Sequence, residues 1–215
     1  MPLPQAVRRL APDRLRYSVR VRALAVGSGL VPPRTMHSPA ESALLAELAR
    51  DRRTAVEIGV YEGSSAVVLV EALPSHATLH LIDPFGANPT LLPGWAAVEG
   101  ATRRVVGRAR SRRGASPRVV WHVERSEETA ARWREPVDLV FVDGDHTEAG
   151  CRRDWEMWSP FVAPGGVVLF HDAAGPRAIP GPRAVVDGLF RGRDAAAGWR
   201  IRAEVETAVA VERAG

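Results

Sequence analysis

"TAVEIGVYEGSSAVVLV", residues 54–70, decides how the chain folds. A mostly apolar run ends at Gly59, a second glycine follows at Gly63, and another apolar run of helical length starts at once. Strand, tight turn and helix in that order form the nucleotide-binding corner of an α/β protein. The glycine count falls short of a dinucleotide fingerprint, and Glu57 stands at the entrance of the turn.

Outward from this corner, apolar runs recur at regular intervals. Residues 77–83, 118–124, 137–144 and 166–172 join 54–60 as strand candidates. Helical stretches lie between them at 63–73, 94–112, 126–134 and 146–161, with a last one near 180–192. The strand runs are nearly continuously apolar, as expected when both faces of a parallel sheet are covered. Residues 199–213 alternate and hold two short strand candidates, an antiparallel pair at a sheet edge. Alternating β and α units predict a doubly wound α/β domain. Upstream, 38–53 reads as a helix, with Ser38 as N-cap, Pro39 in the first turn, Glu41 closing a capping box, and Leu44, Leu45 and Leu48 as its apolar stripe. Residues 1–37, rich in Pro and Arg and weakly periodic, read as an N-terminal arm before a single domain over 38–215.

Composition bounds the function class. Apolar residues make up 46% of the 215 and charged residues 25%, the balance of a soluble globular domain with a substantial core. No apolar run reaches the length of a membrane span. The N-terminal 29 residues carry arginines without an uninterrupted apolar core, so they do not read as a secretory signal. The single cysteine, Cys151, rules out an intrachain disulfide and fits a reducing cytoplasm. All 29 basic residues are arginine and the net charge is +4. The arginine cluster at 103–118 has the charge of a nucleic-acid patch but lacks interleaved aromatics, and reads as a solvated helix face.

Open α/β sheets bind ligands beyond the C-terminal ends of their strands. Four of the first five strand candidates end in polar residues: Glu57 to Gly59, Asp83, Asp143 to His146, and His171-Asp172. Asp83 lies 24 residues beyond Gly59 at the end of the next strand, where an acid accepts hydrogen bonds from two ribose hydroxyls, or caps the turn before Pro84. Glu57 discriminates between cofactors. A carboxylate at this turn repels a pyrophosphate and welcomes a ligand with a ribose and an ammonium-bearing tail. S-adenosylmethionine has that character. The alternative is a buried glutamate satisfied by backbone amides, an expensive residue to bury unpartnered.

"VEIGVYEGSS" (56–65), "LIDPFG" (81–86), "VDLVFVDGDHTEAGCRRDWEMWSPFVAPGGVVLFHD" (137–172) and "GWRIRAEVETAVAVER" (198–213) together resemble the class I S-adenosylmethionine-dependent methyltransferases. Within these, they are similar to the group of macrocin O-methyltransferases and cephalosporin-pathway methyltransferases. The resemblance covers residues 38–213 and leaves out the arm. It implies a seven-stranded, mostly parallel sheet of order 3-2-1-4-5-7-6 with an antiparallel edge strand. It implies that Glu57, Gly59 and Gly63 hold the methionine end of the cofactor, helped by Ser64 or Ser65. Asp83 then grips the ribose and Ser126 contacts the adenine. "DGDH" also resembles the metal motif of catechol and caffeoyl-CoA O-methyltransferases. By position, Asp143 then binds a divalent metal (magnesium or manganese) and His146 acts as base, with His171-Asp172 as the second metal-binding pair. Histidine at 171 departs from the acidic pair and suits manganese or zinc better than magnesium.

These readings predict methylation of a small-molecule hydroxyl, on a sugar, polyketide or other secondary metabolite. A metal on Asp143 and Asp172 would lower the pKa of the acceptor hydroxyl, and His146 would take its proton. His146 reads alternatively as a helix N-terminal residue with a structural bond, and Asp145 as the cap of a helix starting at 146. The arm and the stretch 84–95 are expected to shape the acceptor pocket. No membrane partner is expected, and the resemblance implies assembly into homo-oligomers. The competing classes are an RNA methyltransferase using the 103–118 patch, a nicotinamide-dependent oxidoreductase, and a non-catalytic cofactor-binding module.

Overall fold

The computed structural model describes residues 18–86, 96–192 and 195–215. Seven strands form one sheet: β1 (Thr54–Ile58), β2 (Thr78–Ile82), β3 (Arg118–His122), β4 (Val137–Val142), β5 (Val162–Phe170), β6 (Trp199–Val205) and β7 (Ala208–Arg213). Their spatial order is β3-β2-β1-β4-β5-β7-β6, as the resemblance implies. β3, β2, β1, β4 and β5 run parallel, and β7 runs antiparallel to both β5 and β6. The order reverses between β1 and β4, so a ligand crevice opens beyond Ile58 and Val142.

Helices cover both faces: α1 (Val19–Ser28), α2 (Pro39–Ala49), α3 (Ser64–Ala72), α4 (Glu99–Arg113), α5 (Ser126–Arg132), α6 (Glu148–Trp158) and α7 (Pro180–Val186). Two apolar cores result. One joins Leu44, Leu45 and Leu48 of α2 and Leu69 of α3 to Leu79, Leu139 and Phe141 of the sheet. The other packs Trp133, Trp155 and Trp158 against Val140, Val168 and Phe170. Side chains alternate between these cores along each strand, which is why the strand runs read as continuously apolar. The capping box of α2 is present: Ser38 accepts from Glu41 N–H at 3.2 Å, and Glu41 accepts from Ser38 N–H at 2.7 Å.

Several boundaries differ from the sequence reading, among them that of α4, which begins at Glu99 rather than 94. β5 begins at Val162, not 166, because Pro164-Gly165-Gly166 is carried inside the strand at a register shift against β4. α6 begins at Glu148 with Thr147 as N-cap, and Asp145 accepts from Thr147 N–H at 2.9 Å, two residues ahead of the cap. The described part of the arm contains a regular helix, α1. Its carbonyls at Val26 and Gly27 accept from Arg108 of α4, so a distant guanidinium satisfies its C-terminal end. The expected role of 84–95 in the acceptor pocket falls largely outside the described residues.

Candidate active site

The turn after β1 is built by close approach and by one aspartate. Gly59 has φ +89°, and a Cβ there would stand 2.1 Å from the Asp143 carbonyl oxygen. Only glycine lets β1 end this close to the end of β4. Gly63, at φ +87°, is the N-cap of α3. Asp83 Oδ2 accepts from Val60 N–H at 2.9 Å and Tyr61 N–H at 2.8 Å, and Oδ1 accepts from Phe85 N–H at 2.7 Å. Burial raises the Asp83 pKa against these three donors. A phosphate-binding turn needs free amides, and here two of them already serve a carboxylate. That geometry disfavours a pyrophosphate and with it the oxidoreductase reading.

Glu57 is fully buried. Ser65, in the first turn of α3, donates its hydroxyl to Glu57 Oε1 at 2.5 Å, while Oε2 is enclosed and has no partner among the described residues. Burial drives the Glu57 pKa well above the usual carboxylate range, and Asp143 and Asp83 add to the rise. The alternative of a glutamate satisfied by backbone amides is not what the geometry holds. An enclosed, unpartnered carboxylate oxygen is a site for a donor, and a cationic one above all. Ser64 stands at the start of the same helix. Ser126, the first residue of α5, is buried and donates its hydroxyl to Asp154 of α6, whose pKa burial pushes up to about 6.

Beyond β4 and β5, Asp143, His146 and Asp172 converge. His146 Nε2 lies 3.3 Å from Asp143 Oδ1 and 3.3 Å from Asp172 Oδ2. Asp172 has φ +56°, a backbone strain that aims its carboxylate back at this cluster. Among the described residues these three form the group with donor atoms close enough for one cation, all within 4.8 Å of one another. Two carboxylates and one imidazole suit manganese, iron or zinc better than magnesium. His171, expected in the metal set, lies beneath it: the residue is buried, with Nδ1 3.2 Å from Asp143 Oδ1 and 3.4 Å from Asp172 Oδ2.

Hydrogen bonds to Asp143 and then Asp172 push the His146 pKa up to about 10. Burial works to lower that of His171, but the same two carboxylates outweigh it and hold it near 11. Burial likewise opposes ionisation of both carboxylates, and the two imidazoles overcome it, lowering each. With its Nε2 set between the two carboxylates, His146 stands as their partner, and a metal held there would take the place of its proton.

Two features escaped the sequence reading. Glu41 is buried and also accepts from Thr207 N–H at 2.9 Å and Thr207 Oγ1 at 2.5 Å, with His171 Nε2 3.7 Å away. A cavity of about 290 Å³ opens beside it, lined by residues 35–38 with Glu41, Asp172, Arg177 and Thr207. The second is Glu62 in the glycine turn. It accepts from Arg22 at 2.5 and 2.6 Å and from Arg34 N–H at 2.6 Å, tying the arm to the corner of the site.

A family model described as a methyltransferase domain matches residues 56–173, the span from the glycine turn through the Asp143, His146 and Asp172 cluster. The chain belongs to this family. As a methyltransferase it has solved structural neighbours with the same fold. The O-methyltransferase TomG of Streptomyces achromogenes, solved with S-adenosylmethionine and involved in tomaymycin synthesis, is 21% identical, with 92% of this chain and 90% of that one covered and a TM-score of 0.60. A Geobacter sulfurreducens methyltransferase is 16% identical over 98% and 94% of the two chains, with a TM-score of 0.62. The Bacillus cereus O-methyltransferase, solved with S-adenosylhomocysteine, is 16% identical over 99% and 94%, with a TM-score of 0.57. At these identities the likeness establishes the class I methyltransferase fold.

Proposed function

We propose that this methyltransferase uses S-adenosylmethionine to methylate a hydroxyl of a small molecule, assisted by a divalent metal. The observation that carries the reading is the junction of two sites across Gly59. An unpartnered Glu57 oxygen lies on the turn side, and the carboxylate–histidine cluster lies on the Asp143 side. Glu57 receives the ammonium group of the cofactor, and Ser65 holds that carboxylate in place. Asp83 keeps one acceptor site for a ribose hydroxyl after organising the turn. Ser126 flanks the adenine, and its bond to Asp154 fixes the start of α5 there. Gly63 and Ser64 carry the chain past the methionine end. Asp143, Asp172 and His146 would hold the metal, which when bound lowers the pKa of the acceptor hydroxyl and anchors it. His171, from below, holds both carboxylates to one orientation. The neighbours named as O-methyltransferases favour oxygen as the acceptor.

The test is transfer of labelled methyl from S-adenosylmethionine to 2-aminophenol, which offers both an oxygen and a nitrogen. Label on oxygen is expected, with turnover falling at least about tenfold in EDTA and returning with manganese. Label on nitrogen would overturn the acceptor assignment, and full turnover in EDTA would overturn the metal.

A further inference from the structure

The turn between β1 and α3 is held in a shape its sequence alone does not favour. Gly59 and Gly63 take the left-handed conformation that suits glycine, but Tyr61 between them takes it too, at φ +51°. A residue with a side chain is strained there and stays only where its surroundings hold it. Three anchors do so. Asp83 accepts from Tyr61 N–H at 2.8 Å, and Thr102 of α4 donates its hydroxyl to the Tyr61 carbonyl at 2.7 Å. The third anchor comes from the arm. Glu62 is buried and accepts the Arg22 guanidinium on both oxygens, Nε on Oε1 at 2.5 Å and Nη2 on Oε2 at 2.6 Å. Arg34 adds its backbone N–H to Glu62 Oε2 at 2.6 Å, and its Nη1 donates to the Tyr61 hydroxyl at 2.7 Å. A bidentate, charge-assisted pair around a buried carboxylate is costly to break from either side. The clamp therefore constrains the turn as firmly as it holds the arm.

The place of Glu62 in the chain gives this clamp a consequence. It directly follows Tyr61, whose N–H is held by Asp83, and it stands three residues before Ser65, whose hydroxyl is held by Glu57. Glu62 thus lies between the acid assigned to the ribose and the acid assigned to the ammonium group. Moving it moves Gly63, the N-cap of α3, and with it the helix start that carries Ser65. We propose that Arg22, Arg34 and Glu62 are positioning residues for the cofactor: acting from the arm, they hold the turn so that Asp83 and Glu57 meet the two ends of S-adenosylmethionine at once. The inference rests on the proposed function, which places the cofactor across this turn. Binding linkage is reciprocal, so the bound cofactor in turn steadies α1.

The experiment titrates S-adenosylhomocysteine calorimetrically into full-length wild type, Arg22→Ala, Glu62→Gln and the double variant. Each single substitution should weaken binding about tenfold or more. The double variant should bind no more weakly than the weaker single, because all three break one clamp. In hydrogen exchange, saturating S-adenosylhomocysteine should slow the amides of 19–28 in wild type and leave them unchanged in Arg22→Ala. Affinities within about twofold of wild type, or losses that multiply in the double variant, overturn the proposal. So does exchange at 19–28 that ignores S-adenosylhomocysteine in wild type. If Glu62→Gln does not fold, Arg22→Ala decides alone, by its affinity and by exchange at 19–28. Failure of wild type to bind S-adenosylhomocysteine would instead sink the proposed function.

Discussion

Glu57 carries the most information of any residue in the chain. Buried, bonded on one oxygen to Ser65 and unpartnered on the other, it is a poor residue for stability and a good one for a cation. The sign of its effect follows from its raised pKa. Such a group contributes fully below the unfolded glutamate value, about 4.3, and loses that contribution as pH rises through the folded value. Glu57→Gln is therefore expected to raise the melting temperature of the ligand-free protein, by a margin that grows from about pH 4 to about pH 7. The same variant should bind S-adenosylmethionine about 10- to 100-fold more weakly, the loss expected of a charged hydrogen bond. A scan of melting temperature against pH, paired with calorimetry, checks both signs. Glu57 was legible in the sequence as an acid where a glycine-rich turn needs none. Its unpartnered oxygen was not, because that depends on where α3 places Ser65. Asp83 was legible as an acid at a strand end, but its three backbone donors come only from the folded turn.

At the scale of elements, strand and helix succession gave up the sheet order through resemblance, since periodicity alone does not order strands. The misses share one physical cause, which is stabilisation from far away. α1 has no apolar face of its own: Leu24 is exposed, and only Val26 and Gly27 are buried. It is held by Arg108 of α4 and by the Arg22–Glu62 pair, 40 residues apart in sequence. Glu41 looked like a simple capping residue, yet it also binds Thr207, 166 residues on, and approaches His171. The strand candidate at 166–172 left out Pro164 and Gly165, which lie inside β5. Arg22→Ala should release α1 while the sheet stays intact. Hydrogen exchange should show 19–28 losing about 1–2 kcal/mol of local protection, a factor of roughly 5 to 30, with β1 and β4 unchanged. Equal loss throughout the sheet would mean that α1 belongs to the cooperative core.

For the whole molecule, the arginine patch at 103–118 is largely spent on the protein itself. Arg108 and Arg113 donate to backbone carbonyls, Arg103 pairs with Glu99 and stacks over Trp121, and Arg112 faces Glu71. RNA association should accordingly be weak and show little of the steep salt dependence of a phosphate-binding face. A filter-binding series across salt concentrations measures this directly. Among the described residues no helix is long and apolar enough to cross a membrane. The crevice where the sheet order reverses is tested by one calorimetric experiment: titration of S-adenosylhomocysteine and of NADH into wild type and into Asp83→Ala. Saturable S-adenosylhomocysteine binding to wild type is expected, with its loss in Asp83→Ala and no heat from NADH. NADH binding, or S-adenosylhomocysteine affinity indifferent to Asp83, would show that the crevice is not an S-adenosylmethionine site built on Asp83.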